Sequence, residues 1–417
     1  MNPTIAVIGG GAAGLIAAYA AAKSGAAVTV FERNERPARK LMITGKGRCN
    51  VTNDCTPETV IANIPRNGKF LYSALSNLAP KDVKELFTAW GVPLKTERGN
   101  RVFPVSDRAV DIVDALVGAV KKAGVTVRHA RVEKLLTEQN RVTALLLEDG
   151  IRVAADGFIL ATGGLSYPVT GSTGDGFRMA AELGHTVVSP VPSLVPLNCH
   201  EGFCSALSGL SLKNVTLSVL EEGRKKPCFS ELGEMLFTHF GISGPLVLSA
   251  SAHLKNPERG QYRAVIDLKP ALSYEQLDKR ILRDFGENAN RDFLNALDAL
   301  LPKSLIPVIV RGSGIDGHKK VHQVSREERE KLARLLKEFT VHITGFRPIE
   351  EAVVTRGGVK LAEVDPATMG SKLYPNLSFA GELLDLDAYT GGFNLQIAFS
   401  TGFTAGKIMA ESFSRQK

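Results

Sequence analysis

The chain has 417 residues, 44% of them hydrophobic and 23% charged, which excludes a disordered polypeptide and a membrane-embedded one and calls for more than one core. A formal charge of +8 favours anionic ligands such as phosphorylated molecules. The densest basic runs, Arg224 to Lys226 and Lys319-Lys320, are short and read as solvated faces, so no nucleic-acid partner is expected.

The first 22 residues carry no charged side chain. Three glycines interrupt that apolar run, no basic segment precedes it, and no small-residue cleavage site is evident before Lys23, so neither a signal peptide nor a membrane span is expected. A cytoplasmic location follows as the expectation. TIAVI, residues 4–8, is a short β-branched run; GGGAAG follows and opens an Ala-rich helical stretch to about Ser24; AAVTVF then reads as a buried strand ending at Glu32. Amphipathic helices are predicted in FLYSALSNLA and DVKELFTAWG, between Lys69 and Gly91, and over Arg108 to Lys122. Strand signals come next in VTVRH, VEKLLTE, VTALLLE and DGFILATGG, the last running into a glycine corner. Thr173-Gly174-Asp175-Gly176 then reads as a helix-capping loop anchored by Asp175.

After Gly184 the texture changes. Residues 190–272 carry prolines and alternating runs such as VTLSVL and RAVIDL, which favour antiparallel strands, and residues 273–338 are charged and helical. Ser273 and Ser325 are the expected N-caps, with Glu328 completing a capping box. Near Val353 the glycines return, and the chain closes on strand, Gly-rich turn and helix. The expected fold is α/β, with a nucleotide-binding domain built from residues 1–190 plus 350–417. An insert over 191–349 interrupts it, β-rich over 191–272 and helical over 273–338.

Gly9-x-Gly11-x-x-Gly14 lies directly after a strand and before a helix. There Gly9 allows the tight turn, Gly11 lets backbone approach a pyrophosphate, and Gly14 lets helix and strand pack closely, with the helix N-terminus facing the anion. Glu32, 18 residues beyond Gly14, stands where a carboxylate accepts ribose hydroxyls. A second match, Gly312-x-Gly314-x-x-Gly317, follows the strand-like LIPVIV but opens no helix and reads as a loop. The segment FAGELLDLDAYTGG offers a second contact zone, with an acidic residue for ribityl hydroxyls and a helix N-terminus for a flavin edge, which favours FAD over NAD.

The set GGGAAG, GKGRCNVTN, RVFP, ATGG, GSTGDGF, GEMLFTHFGISGP and FAGELLDLDAYTGGFNLQIAFSTG resembles the HI0933-like family of FAD-dependent oxidoreductases, which includes aminoacetone oxidase and the BaiN bile-acid reductase. The resemblance implies a Rossmann-like FAD domain of the two-dinucleotide-binding-domain flavoprotein type, interrupted by an insert with antiparallel β-barrel and helical parts. It implies Gly9, Gly11, Ala12, Ala13 and Gly14 at the pyrophosphate, and Glu32 with Arg33 at the adenosine ribose. Arg48, Cys49, Asn50, Val51 and Thr52 would run along pyrophosphate and flavin, with Lys40 and Gly45 also in contact. Val132, Thr162, Gly163 and Gly164 would meet the adenine half, and Gly381, Glu382, Gly392, Asn394, Leu395 and Gln396 the ribityl and flavin. One departure stands out: the family's loop reads GGGRCN, and here its middle glycine is Lys46.

Flavin carries the hydride chemistry, so the search is for polar groups that could face it. His239, expected in apolar surroundings between Phe237 and Phe240, Asp387 and Tyr389 are the candidates for catalysis, with Ser243, Tyr167 and Asp385 as further polar groups. Cys49 and Cys55 lack the four-residue separation of flavin-linked cysteine pairs, and the five cysteines include no C-x-x-C pair, so neither a redox thiol pair nor a metal is expected. The expected activity is hydride transfer to a small organic substrate, linked to transient NAD(P)H. The alternatives are a peroxide-producing oxidase of small amines and a flavin-containing protein that binds RNA or another partner with little turnover.

Overall fold

Parallel pairing decides where the motifs meet. In the computed structural model, which describes residues 2–414, β1 (Thr4–Ile8) enters α1 (Ala12–Lys23) and returns as β2 (Ala27–Glu32). These strands belong to a five-stranded sheet in the order Leu377–Phe379, Gly157–Leu160, β1, β2, Thr126–His129, in which each neighbouring pair is parallel. Val7 sits in register with Ile159 on one side and Val30 on the other. All five strands run the same way, so Gly9, Thr162, Gly381 and Arg33, which follow four of them, collect at one edge. That carboxyl edge is where open α/β sheets bind ligands.

The alanines of α1 are explained by its partner. The C-terminal helix, Phe393–Ser414, packs along α1 so closely that a Cβ on Gly402 would lie 2.3 Å from the Ala13 carbonyl oxygen, and one on Gly406 2.0 Å from that of Ala17. Two helices meeting backbone to backbone need small residues on both faces, which is why α1 is buried on nearly every side instead of showing an apolar stripe.

The chain divides into two compact units, one being Leu194–Arg347 and the other formed by the chain on both sides of it. It leaves and re-enters the latter unit along an antiparallel pair, Val187–Ser193 with Val354–Val359. Within Leu194–Arg347 six strands close an antiparallel barrel: Leu197–Cys199, Gly241–Ser243, Phe229–Thr238, Ser211–Glu221, Tyr262–Asp267 and Phe339–Phe346. Beside it lie the helices Tyr274–Glu287 and Arg326–Lys337, both opened by capping boxes, Ser273 with Gln276 and Ser325 with Glu328.

Three local expectations change. LIPVIV forms a helix, Ile306–Ser313, because Pro307 suits a first turn, Ile306 and Ile309 share a buried face, and Gly314 at φ +72° ends it. Asp175 caps nothing; it accepts from Arg33 and Arg131 instead. His239 is exposed at the two-residue turn between barrel strands, edge-on to Phe240, where apolar surroundings were expected. No helix among the described residues is long and apolar enough to cross a membrane.

Candidate FAD site

The glycine turn behaves as a cradle with its contents left open. A Cβ on Gly14 would stand 1.8 Å from the Gly9 carbonyl oxygen, and one on Gly9 2.5 Å from that of Ala161, so both glycines are required by the protein itself. Gly11 is different: a Cβ there would meet nothing within 4 Å. Its backbone is extended, at φ −81° and ψ −170°, and no side chain caps the α1 N-terminus that follows. Unsatisfied N–H groups facing an open volume suit a pyrophosphate.

Glu32 closes one end of the cradle and is 7% exposed. Its Oε2 accepts the Gly10 N–H at 2.7 Å, and its Oε1 accepts both the Asn34 N–H (2.8 Å) and Asn34 Nδ2 (2.6 Å). Oε1 is thereby saturated, while Oε2 keeps one acceptor direction for a ribose hydroxyl. Arg33 lies beside it, tied to Thr173 and Asp175. Burial pushes the Asp175 carboxyl up, but Arg131 and Arg33 outweigh it and hold the group below the usual carboxylate range. Val132 is the buried first residue of the strand after Arg131.

The TGKGRCNVTN loop is a left-handed coil, with Gly45, Lys46, Gly47 and Cys49 all between φ +57° and +82°. Lys46 is exposed at φ +58°, a conformation that favours glycine. Arg48 lies 3.9 Å from the Phe103 ring centroid, with ion pairs to Glu97 at 2.9 Å and Asp107 at 3.0 Å, so its charge is matched by carboxylates from outside the loop. Cys49 is fully buried, and burial pushes its thiol up to about 12, which leaves no thiolate for redox chemistry at neutral pH. Asn50 Oδ1 and Thr162 Oγ1, by contrast, are buried without a partner. Two orphaned polar atoms and an open volume over Gly11 fit FAD, which supplies phosphates, ring nitrogens and ribityl hydroxyls.

Hydrogen bonds bind the C-terminal segment to that loop. Thr52 Oγ1 donates to Gln396 Oε1 at 2.6 Å, and Asn53 Nδ2 to the Gly391 carbonyl at 3.0 Å. A Cβ on Gly392 would lie 2.4 Å from Thr52 backbone, and one on Gly381 2.7 Å from Ala13 Cβ. Asn394 bonds the backbone of Ala388 and Tyr389, and Leu395 follows in the first turn of the helix. Glu382 accepts from Lys40 Nζ at 2.6 Å, from Ser166 Oγ at 2.9 Å and from the Thr355 N–H at 2.8 Å. Burial alone would raise its pKa; Lys40 and these hydrogen bonds outweigh it and keep it ionised below the usual range. Gly164 sits against Thr355 and Glu382.

Of the candidates for catalysis, Asp387 is buried between Arg66 and Ser193, and the Tyr389 N–H donates to the Asn63 carbonyl. Asp385, two residues before Asp387, accepts from Asn67; burial raises its carboxyl pKa against the pull of Arg66. His239 and Ser243 belong to the Leu194–Arg347 unit. Sequence reading missed Arg66, Ser193, Asn53, Ser166 and Thr355. Asn53 closes the GKGRCNVTN motif; the other four lie in no such motif, and of these only Arg66 carries a local signal, the turn in PRNGKF where Asn67 takes φ +63°. Among the described residues no cluster of three or more His, Cys, Asp or Glu could hold a metal.

Residues 3–408 match the family described as "HI0933-like protein Rossmann domain". The chain is 31% identical over 412 residues to the 3-dehydro-bile acid delta(4,6)-reductase of Clostridium scindens, covering 98% of this chain and 99% of that one. It is also 31% identical over 419 residues to the ribosomal RNA dihydrouridine synthase of Haemophilus influenzae (98% of each chain), and 29% identical over 401 residues to that of Escherichia coli (96% of each). A 3-ketosteroid delta1-dehydrogenase from Sterolibacterium denitrificans shares the fold at 13% identity and TM-score 0.51, covering 98% of this chain and 100% of that one. Cradle, orphaned polar atoms and end-to-end similarity agree: the chain belongs to the HI0933-like Rossmann flavoprotein family, an FAD oxidoreductase family, and its cofactor is FAD.

Proposed function

We propose that the protein is an FAD-dependent reductase of carbon–carbon double bonds conjugated to a carbonyl, with a reduced nicotinamide as the electron source. Support comes from what two differently named relatives have in common. A 3-dehydro-bile acid with unsaturation at positions 4 and 6 is a conjugated dienone, and the C5=C6 double bond that is reduced to a single bond when uridine becomes dihydrouridine is conjugated to the C4 carbonyl. Both names describe the same reaction at an electron-poor alkene. The observation in the chain itself that carries the reading is the cradle above, completed by the Gly381 to Gln396 segment and backed by an inert Cys49, so electrons need not pass through a thiol relay.

Bound FAD supplies hydride transfer to the electron-poor carbon. The residues of the chain do the rest. Gly9 to Gly14 and the α1 N-terminus hold the pyrophosphate, Glu32 the ribose, and Asn50, Thr162 and the Gly381 to Gln396 segment the remaining polar groups. The C-terminal helix begins at Phe393, and its positive end would favour the negative charge of a reduced flavin held against it. The test is anaerobic incubation with NAD(P)H and cyclohex-2-enone, followed by mass analysis of the product. A gain of two hydrogens supports the reading; peroxide release with a small amine as the only productive donor overturns it. Ribosomal RNA lacking dihydrouridine, run in parallel, separates a nucleic-acid substrate from a free small molecule.

A further inference from the structure

Resting on that reading, we propose that Arg66 receives the carbonyl oxygen of the substrate and that Asp387 positions it. The turn carrying Arg66 is stitched to the segment that feeds the C-terminal helix: the Asn63 carbonyl accepts the Tyr389 N–H at 3.0 Å, and Asn67 Nδ2 donates to the Asp385 carbonyl at 3.2 Å. Arg66 therefore stands beside the residues that also contact the Thr52-Asn53 end of the cradle through Gly391 and Gly392.

Its guanidinium is held along one edge only. Nη2 donates to Asp387 Oδ1 at 2.5 Å, and Asp387 Oδ2 accepts from Ser193 Oγ at 2.6 Å, so both carboxylate oxygens are fixed. Asp387 is 1% exposed, whereas the Arg66 side chain remains 39% exposed. Arg66 Nε is buried with no partner. A purely structural ion pair has no use for an orphaned buried donor, which folding penalises. A guanidinium anchored at one edge by Asp387 and open elsewhere suits a small acceptor oxygen on its exposed part. Arg66, Arg356 and Asp387 all act on the Asp385 carboxylate, so the group holds two cations and two carboxylates and added negative charge meets no net repulsion.

The chemistry balances. Hydride from the reduced cofactor forms a C–H bond at the β-carbon, the alkene pair shifts toward the carbonyl carbon, and the carbonyl pair moves onto oxygen as an enolate. A solvent proton then adds at the α-carbon and restores the carbonyl. Arg66 faces the oxygen where charge develops, the place where a fixed cation lowers the barrier.

The test uses the FAD-loaded protein and 4-nitrophenol, whose anion mimics the enolate, read by difference absorbance across pH. Wild type should lower the pKa of the bound phenol by about 1 unit or more. Arg66→Met should abolish that shift and cut kcat/KM for cyclohex-2-enone about 10- to 100-fold, with NAD(P)H reduction of the flavin unchanged. Arg66→Lys should keep part of the shift, and Asp387→Asn should raise KM more than it lowers kcat. A wild-type shift retained in both Arg66 variants overturns the role of Arg66. Reduction of neither cyclohex-2-enone nor ribosomal RNA lacking dihydrouridine by the wild type overturns the proposed reaction itself, and the role of Arg66 with it.

Discussion

Adding one methyl group to Gly11 separates what the fold needs from what the cofactor needs. At Gly14 an added Cβ would meet the Gly9 carbonyl oxygen at 1.8 Å, less than two-thirds of an ordinary contact, and the atom in the way is backbone. Helix α1 would have to lift off the sheet, an overpacking cost of about 1–3 kcal/mol. At Gly11 the same Cβ meets no protein atom within 4 Å, and φ −81° is open to any residue. Replacing glycine by alanine at an N-cap costs about 0.5–1 kcal/mol, and stiffening the unfolded chain returns about 0.4–1 kcal/mol, so the net effect on the apoprotein is near zero. The pyrophosphate, as proposed, would need that volume. With FAD at 100 times its Kd, bound cofactor adds about 2.7 kcal/mol to stability. Gly11→Ala should forfeit that increment while matching wild-type stability once FAD is stripped; Gly14→Ala should lose stability in both states. Urea unfolding of loaded and stripped protein, with FAD affinity from fluorescence quenching, reads every quantity. Wild-type FAD affinity in Gly11→Ala, or an apoprotein as damaged as Gly14→Ala, refutes the reasoning.

Lys46→Gly should stabilise the protein by about 0.5–1 kcal/mol, since relief of a left-handed non-glycine residue exceeds the added chain entropy; a loss of stability in urea unfolding would mean that the Lys46 side chain makes a contact worth more than the strain. Cys49→Ser should leave NAD(P)H reduction of the flavin intact, because the buried thiol is un-ionised at neutral pH, and stopped-flow absorbance showing loss of reduction would restore a thiol role. His185 is buried against Glu363 and Ser371; burial pushes its pKa down, with Glu363 opposing. The unfolded chain therefore binds a proton that the folded chain resists, and stability is full above about pH 6.5 and falls as pH drops below it, by at most about 1.4 kcal/mol per pH unit. His185→Gln should flatten that part of the pH–stability curve, and an unchanged slope would assign it to other groups.

The cradle was legible because its demands are local: a glycine is needed wherever a Cβ would strike backbone, and Gly9, Gly14 and Gly392 all meet that condition. The antiparallel strands of the insert were legible as alternation, and their closure into a barrel only through the family resemblance. LIPVIV was not, since an apolar run of that length suits a strand as well as a buried helix, and the deciding feature, the face shared by Ile306 and Ile309, depends on neighbours distant in sequence. Arg66 and Ser193 were invisible for the same reason: 321 residues separate Arg66 from Asp387 and 194 separate Ser193 from it, and nothing near either announces the pairing. Asp387 looked like a reactive carboxylate in sequence because its two partners could not be seen.

Anaerobic stopped-flow mixing of the reduced flavoprotein with cyclohex-2-enone, and separately with ribosomal RNA lacking dihydrouridine, tests the central claim most directly. The account predicts that at least one of the two restores the oxidised flavin absorbance without oxygen and yields the corresponding dihydro product. Reoxidation by oxygen alone, with both alkenes returned unchanged, would contradict it.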